Sequence, residues 1–185
     1  LNDPSLAEFD RFLLPPGAGF GDLRQWWDDR PRRIPHEGVD LCWYRKRGGE
    51  IARLLPGTRL PAMATCRVVR IVEDFLGHSI FVIHKGQDAG RIPLSVYGHA
   101  TSSLKPGEEV REGGLLATIA QPGSGSGLVL PHIHLSMVWL PAAFPFDRLD
   151  WRLLHAFPEA SFCDPLPLLS CPWEEILAPP SDGYP

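Results

Sequence analysis

Between positions 36 and 140 the apolar and β-branched residues fall in short runs, each closed by a turn signal. His36 to Tyr44, Ala62 to Val72, Ser79 to His84, Ile92 to His99, Leu115 to Ala120 and Leu128 to Leu140 read as strands. Between them lie Pro56-Gly57-Thr58, Asp74 to His78, Lys85 to Gly90, Lys105-Pro106-Gly107-Glu108, Glu112-Gly113-Gly114 and the Gly/Ser-rich Gln121 to Gly127. Short strands separated by turns predict an antiparallel sheet architecture. The flanks differ. Leu6 to Leu14 is expected to form a short helix stopped by Pro15-Pro16-Gly17, and Leu23 to Trp27 a further turn. Beyond 140, prolines dominate. Asp147 to Phe157 is expected as a short helix within a wrapping tail whose end, Ala178 to Pro185, frays. The pattern divides the chain into an arm (1–32) that packs on or caps the core, a β domain (33–140) and a Pro/aromatic-rich tail (141–185). The arm itself offers no chemistry.

Composition narrows the class. The 185 residues suit one domain with decorated ends, and 44% hydrophobic content supplies a sizeable core. The 18 glycines and 20 prolines favour turns over long helices. A net charge of −4 gives no basic footprint, so a nucleic-acid partner is not expected. No apolar run reaches the roughly 18 residues of a membrane span. The chain begins at Leu1, so an upstream segment is expected to have been removed or never built, and the lack of an N-terminal signal is uninformative. Cys42, Cys66, Cys163 and Cys171 lack C-x-x-C spacing, which argues against a structural zinc knuckle. Their pairing stays open, with Cys163 and Cys171 the easier couple across a Pro-rich turn.

The chemistry concentrates in Pro131-His132-Ile133-His134. On a strand, residues i and i+2 share a face, so the two imidazoles project side by side. His36-Glu37-Gly38-Val39-Asp40 adds an imidazole and a carboxylate four apart, with a glycine between them that permits a bend. His36, Asp40 and His134 together offer three ligands and leave a fourth position open, the arrangement of catalytic zinc. Zinc lowers the pKa of a coordinated water from about 15.7 to about 7. His132 and His99 are the spare imidazoles for proton handling. His84 reads as structural, His78 as solvent-facing and His155 as packing.

These residues resemble the M23 family of peptidases, the lysostaphin- and LytM-type zinc endopeptidases of peptidoglycan. His36-Glu37-Gly38-Val39-Asp40-Leu41 resembles the H-x-G-x-D-hydrophobic motif. Pro56-Gly57-Thr58 with Pro61-Ala62-Met63-Ala64 resembles G-T-P-V-x-A, and Ile83-His84-Lys85-Gly86 resembles I-x-H-G. Tyr97-Gly98-His99 resembles Y-x-H-L-S, Lys105 to Gly114 resembles V-K-x-G-x-x-V-x-x-G, and Pro131 to His134 resembles P-H-L-H. The resemblance runs over roughly residues 33 to 140, with the motifs in order.

It implies a mainly β fold, an antiparallel sandwich or groove of the duplicated hybrid motif type, here with short helical and Pro-rich extensions at both ends. It implies Zn2+ held by His36, Asp40 and His134, with His99 and His132 as catalytic histidines. It further implies a peptidoglycan peptide as substrate, a monomer, and a periplasmic or extracellular setting. The alternative is a catalytically silent relative that regulates or binds cell-wall hydrolases. The lack of a hairpin-tip lysine, with Met63 followed by Ala64, argues against a lipoyl-type carrier, the third reading. Leu128-Val129-Leu130 and Leu135-Ser136 depart from the family's S-T-G and F-E, and Thr65-Cys66-Arg67 replaces its D-G turn. Leu104 follows Ser102-Ser103 instead of standing directly after His99. These departures are expected to border the groove and to bear on substrate choice more than on metal binding.

Overall fold

The computed structural model describes residues 6, 8–86, 90–123 and 129–180. Positions 87–89 and 124–127 of two expected loops, Leu128, and 181–185 of the tail fall outside them, as do 1–5 and 7. The described strands are β1 (Phe9–Leu14), β2 (Val39–Leu41), β3 (Trp43–Lys46), β4 (Ile51–Arg53), β5 (Arg59–Pro61), β6 (Cys66–Asp74) and β7 (Gly77–His84). They continue with β8 (Arg91–Thr101), β9 (Glu109–Val110), β10 (Leu115–Ile119), β11 (Ile133–Pro141), β12 (Ser161–Cys163) and β13 (Trp173–Glu175). Among the described residues one α-helix, α1 (Trp151–Ala156), interrupts the tail.

The larger sheet runs β12-β11-β8-β7-β6-β9, with β2 also on β11 and β10 joining β8 to β5. The smaller runs β13-β1-β3-β4. Pairing is antiparallel apart from β1 with β13. Both faces of the larger sheet are covered, which explains the near-continuous burial along β11. One face carries Val39, Leu41, Ile80, Val82, Tyr97, Ile133 and Leu135 into the main core. The opposite face presents Phe81, Leu94, Val96, Val138 and Leu140 to Phe144, Leu149 and Leu154 of the C-terminal extension. The tail therefore lies on the sheet face that carries His132 and His134.

Two expected helices change. Leu6 to Leu14 contains a strand instead. Phe12 and Leu14 enter the main core while Leu13 enters a separate cluster with Trp26, Cys42 and Trp43, so β1 is buried on both faces. Two-sided burial makes a continuous apolar run suit a strand, and Pro15-Pro16 ends it. The helix read at 147–157 shortens to α1, because the Asp150 side chain caps it by accepting the Leu153 amide at 2.7 Å. All four cysteines are free thiols. Cys163 lies on β12 with Sγ 3.8 Å from the Met137 carbonyl, whereas Cys171 packs against the main core. Cys163 and Cys171, the easier couple by sequence, thus lie in different parts of the molecule.

Candidate metal centre and cleft

Strand register assembles the site. On β2 and β11, Asp40 pairs with His134, and on the other side of β11 His134 pairs with Gly98 of β8. Gly98 lets β8 pass close to His134, since a Cβ there would lie 3.2 Å from the His134 Cβ. Gly38 is more tightly confined. A Cβ at that position would run into the Leu135 carbonyl oxygen and come within 2.6 Å of Ser136 Oγ. The glycine thus allows the chain to cross β11 and brings His36 back over Asp40.

His36 Nε2, Asp40 Oδ1 and His134 Nδ1 form a triangle with edges of 3.3, 2.8 and 3.1 Å. A tetrahedral zinc ion with ligands at about 2.0–2.1 Å separates neighbouring donors by about 3.3 Å. All three residues are buried. Electron-pair donors this close in a dry place repel one another unless a cation sits among them. The donor set therefore fits a zinc ion.

The outward atoms are each tied to a partner. His36 Nδ1 donates to the Gly19 carbonyl at 2.9 Å, which leaves Nε2 as a lone pair. Ser136 Oγ, 2.8 Å from His134 Nε2, is placed to accept its proton and leave Nδ1 free. Asp40 Oδ2 accepts Trp26 Nε1 at 2.9 Å and Arg32 Nη2 at 3.4 Å. Such outer partners orient metal ligands and tune their basicity. Two of these roles depart from expectation. The arm between residues 1 and 32 supplies Trp26 and Arg32 to the Asp40 carboxylate, so it is more than packing. The Ser136 departure sits behind His134 rather than at the groove edge.

His132 and His99 stand beside the triangle with their rings 4.6 Å apart. His132 is fully enclosed. Its Nδ1 donates to the Leu130 carbonyl at 2.8 Å, and Nε2 lies 3.7 Å from Asp40 Oδ1. Burial pushes its pKa down to about 4, so the imidazole is neutral at pH 7. His99 has φ of 61°, a left-handed conformation that is costly for a residue with a Cβ. It occupies a bulge where Gly98-His99 oppose the single residue Ser79.

Asp74 holds that geometry, a role that no motif along the chain marks. Its Oδ2 accepts the His99 amide at 2.9 Å and Ser79 Oγ at 2.9 Å. Its Oδ1 faces His99 Nδ1 at 3.2 Å. Burial pushes the Asp74 carboxyl up, but the hydrogen bond and charge of His99 hold it well below the usual carboxylate range. Burial likewise pushes Asp40 up, and the neighbouring imidazoles, His36 foremost, keep it far below its ordinary value.

A cleft of about 230 Å³ opens on this group. Trp27 and Arg32 of the arm, Phe75 and Asp74 of the β6–β7 turn, and Trp151 and His155 of α1 form its walls together with Glu37. His84 lies elsewhere, with Nε2 2.6 Å from Ser95 Oγ. His78 is half-buried in β7 rather than solvent-facing. His155 packs as expected, stacked on Trp151 and Phe162, but it also reaches the cleft.

No family model and no curated protein matches the sequence. The fold is similar to that of lysostaphin in solution, with a TM-score of 0.53 and 18% identity over 90% of this chain and 56% of that one. Weaker likenesses are to a putative M23 peptidase from Pseudomonas aeruginosa (TM-score 0.45, 23% identity, 84% of this chain and 54% of that one) and a zinc-containing peptidase from Vibrio cholerae (0.45, 17%, 77% and 40%). The chain spans about half the length of these structures. The fold is thus M23-like, mainly β and antiparallel, as the motifs imply.

Proposed function

We propose that the protein is a zinc-dependent endopeptidase that hydrolyses peptide bonds of peptidoglycan in the periplasm or outside the cell. The observation that carries this reading is the convergence of His36 Nε2, Asp40 Oδ1 and His134 Nδ1 beside two further imidazoles that the triangle does not use. A zinc ion held by these three would supply Lewis acidity and make water a nucleophile near neutral pH. The other groups belong to the chain itself. His132, kept neutral by burial, presents Nε2 as a hydrogen-bond acceptor that orients the attacking water. His99 is the proton carrier, because the Asp74 carboxylate 3.2 Å from Nδ1 fixes that nitrogen as the donor and leaves Nε2 to accept. It takes the water's proton and passes it to the departing amine. Arg32 and Trp26 keep Asp40 facing the ligand set.

The experiment combines metal analysis with digestion. Purified protein is expected to take up one zinc ion and release defined fragments from peptidoglycan, read by mass. Stripping the metal should abolish cleavage, and zinc should restore it. Failure to take up zinc, or equal cleavage by His99→Ala, His132→Ala and the unaltered chain, would overturn the reading.

A further inference from the structure

We propose that Glu37 forms a subsite for a primary ammonium group, seating an amine of the peptide beside the bond to be cut. The inference rests on the peptidase reading above and adds a substrate feature to it. Glu37 is the residue between His36 and Gly38, so its position next to the metal centre is fixed by the same crossing that places His36. Its side chain turns into the cleft and meets α1, with Oε1 3.5 Å from His155 Nε2. That distance is the outer limit of a hydrogen bond.

The other two carboxylates of the cleft are closely engaged. Asp40 faces the His36, His132 and His134 imidazoles and Trp26, and Asp74 faces His99, Ser79 and the Leu76 amide. Arg32, a cation of the cleft wall, is turned to Asp40 and the Gly17 carbonyl. Glu37 therefore offers an anion with acceptor capacity left over.

Its surroundings match an ammonium ion. The Trp151 ring lies 5.6 Å from the His134 ring and stacks on His155 at 5.7 Å, bridging the metal ligand and the Glu37 partner. The Glu37 carboxylate and the Trp151 ring line the same cleft, so an ammonium seated there meets a fixed negative charge next to aromatic surface. The wall is rigid. Trp151 Nε1 donates to Ser79 Oγ at 2.8 Å, and Leu149 and Leu154 are fully buried beneath it. A cleft of about 230 Å³ that also holds the scissile bond favours a compact ammonium over a guanidinium. The amine is either the free N-terminus of the peptide or the side-chain amine of a diamino residue.

The test uses a lysine-containing peptidoglycan stem peptide in three forms: both amines free, the α-amine acetylated, and the lysine amine acetylated. Binding is measured by calorimetry on His132→Ala and on the same protein carrying Glu37→Gln, and cleavage on the unaltered chain and Glu37→Gln. One acetylation is expected to weaken binding about tenfold or more, and which one does so names the source of the amine. Glu37→Gln, which keeps the shape and the His155 contact, should bring the three forms within about twofold. Discrimination that survives Glu37→Gln, or is absent in the Glu37 protein, overturns the subsite. So does a Glu37→Gln protein that loses thermal stability without changing the ratio, which would make Glu37 a tether for α1. A protein that binds zinc and cuts all three forms equally refutes the subsite and leaves the peptidase reading intact. If no zinc binds and nothing is cut, the peptidase reading fails, and the calorimetric ratio alone decides the subsite.

Discussion

Asp40 and His134 face each other across β2 and β11, with Oδ1 and Nδ1 2.8 Å apart. Directly opposed residues in an antiparallel pair hold their Cβ atoms about 4.5–5.5 Å apart, so the register alone brings carboxylate and imidazole within ligand distance. A slip of one residue would send one of them to the other face. Asp40→Ala should therefore remove zinc binding while leaving the hydrophobic pairs Val39–Leu135 and Leu41–Ile133 in place. In the unaltered chain, zinc at a hundred times its dissociation constant should stabilise by about 2.7 kcal/mol. Thermal melts with and without zinc should show a rise for the unaltered chain and none for Asp40→Ala.

Trp26 lies outside the triangle, yet its indole N–H fixes Asp40 Oδ2 at 2.9 Å and its ring packs edge-on to His132 at 5.2 Å. Trp26→Phe retains most of the packing against Trp43 and removes the donor. Zinc affinity is expected to fall about 10–100-fold, the usual cost of losing an outer partner. Competition with a chromophoric chelator measures it, and an unchanged affinity would refute the role.

The candidate ligands are legible because their spacing is local. His132 and His134 follow the two-residue period of a strand, and His36 and Asp40 flank a glycine whose reason is now visible in the Leu135 carbonyl. What the chain hid is contributed from afar. Asp74 sits in a Phe75-Leu76-Gly77 turn, where an aspartate ordinarily serves the turn itself, as its bond to the Leu76 amide confirms. Nothing in sequence links it to His99, 25 positions on. Trp26 and Trp151 look like packing until the arm and tail close on the same sheet face. β1 is not legible as a strand, because a run apolar at successive positions does not distinguish a buried strand from a helix.

Asp74→Asn separates positioning from metal binding. The substitution keeps an acceptor for the His99 amide but removes the charge behind Nδ1. Cleavage should fall about 100-fold with zinc stoichiometry unchanged. Stability gives a second readout. The native pKa of Asp74 lies below the unfolded value of about 3.9. The unfolded chain therefore binds the proton first as pH drops. The contribution of Asp74 is complete above about pH 4 and is lost as pH falls through its lower native pKa. Denaturant melts at pH 5 and pH 3 should show a smaller acid loss in Asp74→Asn than in the unaltered chain.

Gly38→Ala tests whether the crossing of the chain over β11 sets the ligand geometry. The added methyl meets the Leu135 carbonyl and Ser136 Oγ, both on backbone or short side chains that have little freedom to move. Either β2 draws away from β11 or the His36–Asp40 segment lifts, and both separate donors that now lie 2.8–3.3 Å apart. Overpacking of this kind costs about 1–3 kcal/mol. For a chain of this size that is a fall in Tm of about 2–12 °C. Gly48→Ala is the control, because nothing lies within 4 Å of a Cβ there. Loss of both stability and zinc affinity in Gly38→Ala, with neither in Gly48→Ala, is the expected result. Equal behaviour of the two variants would show that the close approach at Gly38 does not govern the metal centre.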